Sequence, residues 1–242
     1  MAGADRSAAV FGASGAIGRA LVERLARVEL YDRVYAGSRA PGEGLQPSVV
    51  PFRFDLADEP SIAQAASRFA PAPDLVLVTT GLLHDAARGI APEKSLKALD
   101  DAAMAQLFAV NTIGPALIAK HVLPRLPRDR RAVFGVLSAR VGSIGDNRLG
   151  GWHAYRASKA ALNMLVRNFA IELARTHPLA VVAGLHPGTI DSALSLPFQR
   201  GVAPERLFAP DRAAEQLLQV LHRLTPQDSG GLFAWDGSRL PE

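Results

Sequence analysis

Short apolar runs alternate along the chain with longer segments in which apolar residues recur at helical spacing. Seven of the short runs predict β-strands, because they are continuous, β-rich and too short for helices. They are Ala8–Gly12, Arg33–Ser38, Val49–Phe54, Leu75–Thr79, Ala132–Ser138, Ala180–His186 and Gly231–Trp235. Continuous apolar strands of this kind are typical of a parallel sheet that is covered on both faces.

Five longer segments have the period of an amphipathic helix. They are Ile17–Arg27, Ser61–Ala70, Ala102–Leu123, Ala154–Arg175 and Asp211–Leu224. Strands that alternate with helices predict βαβ units. We therefore expect an α/β fold, a doubly wound parallel seven-stranded sheet of Rossmann type with helices on both faces. One domain over residues 1–242 is expected, because this length is ordinary for a single α/β domain.

An irregular excursion, Leu194–Pro210, separates the last long strand run from the last helix. It contains three prolines, and we expect its aromatic residues Phe198 and Phe208 to be exposed. Loops of this length often carry function. A substrate lid and a plain surface loop both fit the pattern.

Composition narrows the class of protein. The net charge is +4 with scattered basic residues, so nothing suggests binding to nucleic acid. The chain has no cysteine, which excludes disulfides and thiolate chemistry, and the histidines show no metal-ligand spacing. No signal peptide is evident and no apolar run approaches the roughly 20 residues that span a bilayer. We expect a cytoplasmic protein without a membrane partner.

The segment Gly12-Ala13-Ser14-Gly15-Ala16-Ile17-Gly18 lies between the first predicted strand and the first predicted helix. Glycines there allow a tight turn, a close approach of phosphate to the main chain, and tight packing of the helix on the strand. The helix N-terminus then faces a pyrophosphate. A strand before the motif and a helix after it favour a dinucleotide site over a simple turn.

The residues after the second predicted strand indicate whether the site prefers NAD(H) or NADP(H). NAD sites place an acid about 20 residues after the last glycine, where it binds the ribose hydroxyls. Ser38-Arg39 occupies that place here. A neutral residue followed by arginine leaves room for a 2′-phosphate and binds it, so NADP(H) should be preferred over NAD(H). The alternative is an ordinary exposed arginine with a mild preference.

Tyr155 and Lys159 are four residues apart and therefore share one helix face. A phenol is a poor proton carrier at neutral pH, but a nearby ammonium favours the phenolate and should lower its pKa. Tyr155 can then exchange a proton with a carbonyl or alcohol oxygen.

Several motifs together resemble the short-chain dehydrogenase/reductase family of single-domain type, over nearly the whole chain. They are Gly12–Gly18, Asp55, Asn111, Ser138, Tyr155-Lys159 and Pro187-Gly188, in the family's order and spacing. Residues 138–163 and 186–198 are most similar to the C-factor and Sniffer-like carbonyl reductase branch. The resemblance implies a homodimer or homotetramer formed through the helices Ala102–Leu123 and Ala154–Arg175.

The resemblance also implies roles for individual residues. Tyr155 would be the acid/base, Ser138 would orient the substrate oxygen, Lys159 would bind the nicotinamide ribose and Asn111 would hold a proton-relay water. Further cofactor contacts are implied for Asp55, Leu56, Thr80, Gly81, Pro187, Gly188, Thr189, Ile190 and Ser192. A satisfied core amide is the alternative for Asn111, and a plain turn aspartate for Asp55. We expect His186 to be structural.

Three positions depart from the family pattern. Ala16 stands where the second family glycine is expected, and Val78-Thr79-Thr80-Gly81 replaces an Asn-Asn-Ala-Gly motif. A hydroxyl of Thr79 or Thr80 could replace the lost asparagine. Ser143 is the runner-up to Ser138, because its spacing to Tyr155 is closer to the usual one. Ser138 is preferred because a predicted strand delivers it to the carboxyl edge of the sheet.

The leading hypothesis is an NADP(H)-dependent oxidoreductase that transfers a hydride between the nicotinamide and a carbonyl or secondary alcohol. An apolar wall would favour a small apolar substrate. Its predicted members are Leu82, Leu83, Trp152, Leu194, Leu196 and Phe198. The alternative is a C-factor-like signalling or regulatory protein that binds NADP(H) with little turnover.

Overall fold

The computed structural model describes residues 5–28, 30–42 and 46–241. Seven strands form one parallel sheet: β1 Ser7–Phe11, β2 Arg33–Ser38, β3 Val49–Arg53, β4 Leu75–Val78, β5 Ala132–Leu137, β6 Ala180–His186 and β9 Leu232–Ala234. Two further short strands, β7 Thr189–Ile190 and β8 Leu207–Phe208, pair with each other. The order in the sheet is β3-β2-β1-β4-β5-β6-β9, which confirms the predicted doubly wound Rossmann-like fold.

Within the described ranges, six α-helices cover the sheet: α1 Ala16–Arg27, α2 Glu59–Ser67, α3 Asp101–Phe108, α4 Gly114–Val122, α5 His153–Leu173 and α6 Pro210–Arg223. The sequence predicted a single helix over Ala102–Leu123. The structure instead places a π-helical turn, Ala109–Ile113, between α3 and α4, where the Gly114 N–H bonds to the Ala109 carbonyl. This turn carries Asn111, and such turns often occur at functional sites.

Both faces of the sheet are buried, which explains why its strands are continuous apolar runs. Along β1, Ala9 and Phe11 join the core under α2, α4 and α5, whereas Ala8 and Val10 join the core under α1 and α6. Phe11 packs edge-on against Phe52 and Phe54 at ring distances of 5.1 and 5.0 Å. These contacts fix β1, and with it the turn that follows.

The helical stretch Asp101–Arg125 is long and apolar enough to cross a membrane by length and composition alone. The expectation that no apolar segment reaches such a length is therefore wrong by this measure. In the fold, Ile118, Ala119 and Val122 of this stretch belong to the core beneath the sheet.

The excursion between β6 and α6 is tied at its base, because Thr189 pairs with Leu207 and Ile190 with Phe208. The expectation that Phe208 is exposed is wrong. It is 2% exposed, and its ring lies 4.7 Å from that of Trp235. Strand pairing between residues far apart in sequence turns this side chain inward, and no local pattern reveals it.

Candidate active site

The glycine turn after β1 is shaped by steric necessity at two positions. Gly12 has a φ of +98°, and a Cβ there would lie 2.6 Å from Thr79 Oγ1. A Cβ on Gly18 would lie 2.1 Å from the Gly12 carbonyl oxygen. Gly15 precedes α1 without a side-chain cap, and the first turn of α1 holds no acid. The free N–H groups and positive end of α1 therefore face a cradle suited to phosphate.

The sequence left open whether the hydroxyl of Thr79 or that of Thr80 replaces the lost asparagine, and the structure gives the two threonines different environments. Thr79 Oγ1 donates to the carbonyl oxygens of Phe11 and Gly12, at 3.0 and 3.1 Å, and so braces the glycine turn. Thr80 Oγ1 is buried without a hydrogen-bond partner in the described part of the chain. A buried hydroxyl without a hydrogen-bond partner lowers the stability of the fold. A bound group that forms a hydrogen bond with Thr80 Oγ1 would therefore be stabilised at this position.

At the carboxyl end of β2, Ser38 is buried and Arg39, the next residue, is exposed. Arg39 makes no hydrogen bond or ion pair with any described residue. Asp55 Oδ1 accepts the Ala57 N–H at 3.0 Å, so its carboxylate already stabilises its own turn. Leu56 packs closely on α4, since a Cβ on Gly114 would lie 2.7 Å from Leu56 Cδ2.

The segment after β6 comes back to the glycine turn. Gly188, which follows Pro187, has a φ of +81°. A Cβ added at this position would lie 2.7 Å from the Phe208 ring. Ile190 is buried with Phe208, and Ile17 of the glycine turn packs against the same cluster. Ile190 of this segment and Ile17 at the start of α1 therefore belong to one apolar cluster.

Tyr155 and Lys159 lie on the first two turns of α5 and are both buried. Lys159 Nζ donates to the Leu137 carbonyl at 2.9 Å and lies 5.9 Å from the centre of the Tyr155 ring. Burial raises the pKa of Tyr155 to about 12 and lowers the pKa of Lys159 to about 8. The expected lowering of the tyrosine pKa is therefore not found, because burial removes the phenolate from water. Tyr155 is a protonated phenol at neutral pH.

Asn111 is fully buried in the π-helical turn and its amide is satisfied. Its side chain accepts the Leu82 N–H and donates to the Leu82 carbonyl, both at 2.8 Å, and donates to Ser158 Oγ at 3.1 Å. It therefore links the loop after β4 to α5. A Cβ on Gly81 would lie 3.7 Å from Asn111 Oδ1 and 3.9 Å from Lys159 Nζ, so Gly81 lies between the two groups.

The hydroxyls of the two candidate serines, Ser138 and Ser143, form hydrogen bonds with residues other than Tyr155. Ser138 Oγ donates to Asn163 Oδ1 at 2.6 Å, and Ser143 Oγ accepts the Asp146 N–H at 3.1 Å. The next residue, Ala139, instead belongs to the apolar cluster that contains Tyr155. The structure therefore brings Tyr155, Lys159 and Asn111 together but does not bond either serine hydroxyl to Tyr155.

The predicted apolar wall is partly found around Tyr155. Leu82, Leu83, Trp152 and Phe198 pack in its cluster, whereas Leu194 and Leu196 are exposed. Sequence reasoning missed Ile90, Met104 and Leu107, which join the same cluster. They come from the loop after β4 and from α3, and no local motif marks them.

His186 ends β6 near this cleft. Burial lowers its pKa to about 4, so the imidazole is neutral at physiological pH. Across the described residues, no group of three or more histidine, aspartate or glutamate side chains could hold a metal ion.

Comparison with known proteins gives one family and two sets of relatives. The family model described as short chain dehydrogenase matches residues 6–201. C-signal of Myxococcus xanthus is 34% identical over 143 residues, which cover 59% of this chain and 81% of that protein. The 1-hydroxy-2-glutathionyl-2-methyl-3-butene dehydrogenase of a Rhodococcus is 36% identical over 131 residues, which cover 54% of this chain and 55% of that protein.

Two solved structures have the same fold over almost the whole chain. NADPH-bound carbonyl reductase from chicken fatty liver is 24% identical with a TM-score of 0.82, covering 98% of this chain and 94% of its own. Carbonyl reductase Sniffer of Drosophila melanogaster is 18% identical with a TM-score of 0.83, covering 98% of this chain and 100% of its own.

Proposed function

The chain belongs to the short-chain dehydrogenase family, and on that premise we propose that it is an NADP(H)-dependent reductase of small apolar carbonyl compounds. One observation carries the proposal. A buried, protonated phenol, Tyr155, lies in an apolar cluster one helical turn from Lys159, at the carboxyl edge of the sheet where the glycine turn also lies. In open α/β sheets this edge is where ligands bind.

The residues of the cleft fit a dinucleotide. A Cβ at Gly12 or Gly18 would collide with Thr79 or with the Gly12 carbonyl, so glycine at both positions is what lets this tight turn form before the open end of α1. The unpaired Thr80 hydroxyl supplies a buried group that needs a partner. Lys159 and the segment from Pro187 to Ser192 would hold the nicotinamide end, while Asp55 and Leu56 would flank the adenine.

Arg39 supports a preference for the phosphorylated cofactor. Its guanidinium has no partner among the described residues and follows the neutral Ser38 at the end of β2. A guanidinium binds a phosphate through paired charge-assisted hydrogen bonds. The named relative that binds NADPH, chicken fatty liver carbonyl reductase, is consistent with this assignment.

When bound, the reduced nicotinamide supplies a hydride to the carbonyl carbon. Tyr155 donates its phenolic proton to the carbonyl oxygen as the charge on that oxygen develops. The apolar cluster excludes water from this transfer, and the charged form of Lys159 would donate hydrogen bonds to ribose hydroxyls. Tyr155 is protonated at neutral pH and therefore carries the proton that reduction requires.

Ser138 has a structural role in this proposal. Its hydroxyl proton is committed to Asn163, so we infer that it fixes the end of β5 onto α5 rather than binding substrate. The role of Asn111 is likewise to hold the loop after β4 against α5, and water relay at its position stays a prediction. Tyr155 is then the one side-chain donor assigned to the substrate oxygen.

The assignment of Tyr155 as the one side-chain donor to the substrate oxygen also supports a second candidate function. A single oxygen donor would make turnover slow, as in a protein that binds NADP(H) to regulate or signal. The similarity to C-signal agrees with such a role.

The test is NADPH consumption with a panel of aldehydes, aliphatic ketones and aromatic ketones, with the product quantified by chromatography. A reductase forms alcohol in equal amount to the NADP+ formed. Tight binding of NADPH with no alcohol formed from any carbonyl compound would support the regulatory candidate instead.

A further inference from the structure

Trp152, the residue immediately before α5, has a left-handed backbone conformation. Its φ is +51° and its ψ is +45°, and it is the one non-glycine residue with a positive φ in the described part of the chain. Gly150 and Gly151 before it also have positive φ values, of 64° and 65°. A bulky side chain is disfavoured in this region, and such strain persists where the surroundings impose it and clusters at functional sites.

Glu93, from the loop between β4 and α3, imposes this conformation. Its carbonyl oxygen accepts the Trp152 N–H at 2.6 Å, and both of its carboxylate oxygens lie 3.3 Å from the Ala154 nitrogen, which donates to them. Glu93 is only 6% exposed and forms no ion pair with any described residue. Trp152 gives α5 no side-chain cap, so the Glu93 side chain supplies a hydrogen-bond acceptor for a free N–H at this helix end.

The strained turn places the indole of Trp152 against the apolar cluster that contains Tyr155. Its ring lies 6.3 Å from that of Tyr155, edge-on, and 5.0 Å from that of Phe198 in the excursion after β6. Phe198 in turn lies 5.8 Å from the imidazole of His84. A row of aromatic rings thus extends outward from the proposed proton donor.

Building on the proposed function, we propose that Trp152 determines specificity for aromatic carbonyl compounds and that Glu93 is its positioning residue. A planar ring beside Tyr155 finds an aromatic partner in the indole, and such pairs favour edge-on or offset geometry beyond simple burial. Glu93 acts without touching substrate, by fixing the first turn of α5 and the backbone of Trp152.

Two ketones of nearly equal size test the role of Trp152. Acetophenone and cyclohexyl methyl ketone differ in the aromaticity of the ring, and the wild type should prefer acetophenone in kcat/KM. Trp152→Ala should reduce this preference about two- to tenfold, mainly through KM, whereas Trp152→Phe should retain most of it. An equal loss for both ketones in Trp152→Ala would overturn the proposal, because it would show general apolar packing.

The role of Glu93 is tested with a matched pair of variants. Glu93→Gln keeps an oxygen that accepts the Ala154 N–H and should keep the preference for acetophenone, while Glu93→Ala keeps only the main-chain bond to Trp152 and should weaken the preference. The dissociation constant of NADPH should be unchanged in both. Wild-type preference in a folded Glu93→Ala protein would overturn the positioning role, as would a loss in Glu93→Gln as large as in Glu93→Ala.

A fluorescence experiment separates this inference from the proposed function. The chain has two tryptophans, so Trp235→Phe leaves Trp152 as the single reporter. With NADP+ present, acetophenone should quench this fluorescence saturably, and Glu93→Ala should weaken the binding. If the wild type reduces no ketone but quenching saturates, the proposed function fails and the aromatic site stands. Quenching that rises linearly without saturation would overturn the aromatic site itself.

Discussion

The Ser138 hydroxyl donates a hydrogen bond to Asn163 Oδ1 at 2.6 Å, joining the end of β5 to the middle of α5. Its neighbour Ala139 packs instead in the cluster that contains Tyr155. Successive side chains of an extended chain point to opposite sides, so only one of these two positions can face the proton donor. The structure gives that position to the alanine.

Ser138→Ala should therefore affect stability more than catalysis. The loss of one buried hydrogen bond should lower the free energy of unfolding by about 1 kcal/mol, measured by urea denaturation. The value of kcat should fall less than about tenfold, well short of the loss that follows removal of an oxyanion donor. A loss of about a hundredfold or more at unchanged stability would show that Ser138 binds the substrate oxygen after all. Ser143→Ala measured alongside tests the alternative serine.

Ala139→Ser should increase turnover. The substitution adds a hydroxyl on the side of the chain that packs with Tyr155, where it can donate a second hydrogen bond to the developing oxyanion. A fixed donor of this kind is worth about a hundredfold or more when optimally placed, and we expect about tenfold from one without a tailored surrounding. Ala139→Gly is the control, since it changes the volume without adding a donor. A gain in both variants, or in neither, would contradict this assignment.

Arg39→Ala should change the choice of cofactor. With its guanidinium free to bind a 2′-phosphate, its removal should raise the KM for NADPH about ten- to a hundredfold. The KM for NADH should change less than about twofold, since that cofactor lacks the phosphate. Arg68, exposed at the end of α2, provides the matched control, and Arg68→Ala should alter neither constant. Equal changes for NADPH and NADH would remove Arg39 from the phosphate site.

The buried Lys159 should make stability depend on pH. Burial lowers its pKa from 10.5 to about 8 in the folded protein. Between these two values the unfolded chain binds more protons than the folded one, so the free energy of unfolding rises as the pH increases. The rise attributable to this residue from pH 8 to pH 10 should be about 2 kcal/mol. We expect it in urea unfolding of the wild type and not of Lys159→Met. Parallel curves for the two proteins would show that Lys159 keeps its charge in the fold.

Local patterns were enough to predict the sheet, the glycine turn and the Tyr155-Lys159 pair. Each of these depends on residues close together in sequence, such as the continuous apolar run that ends at Phe11. The position that faces Tyr155 was harder, because a shift of one residue at the end of β5 exchanges the two sides of the chain. The sequence favoured Ser138, with Ser143 as the alternative, and gave no reason to consider Ala139.

Long-range contacts account for other differences. Glu93 reaches the start of α5 from about 60 residues away, and no helix-capping motif near Trp152 indicates it. Phe208 is buried because β7 and β8 pair across the excursion. The high pKa of Tyr155 has the same origin, since the apolar residues that bury it come from five separate parts of the chain: the loop after β4, α3, the segment after β5, the start of α5 and the excursion after β6.

Replacement of Tyr155 by phenylalanine tests the central claim most directly. Tyr155→Phe removes the phenolic proton and keeps the ring in its cluster, so NADPH should bind with a dissociation constant within about twofold of the wild type. Carbonyl reduction should fall by a factor of about 10² to 10⁴, the usual contribution of a positioned proton donor. Loss of turnover with binding retained is the result predicted here. Undiminished reduction of the same ketones by Tyr155→Phe would contradict Tyr155 as the proton donor and the proposed function built on it.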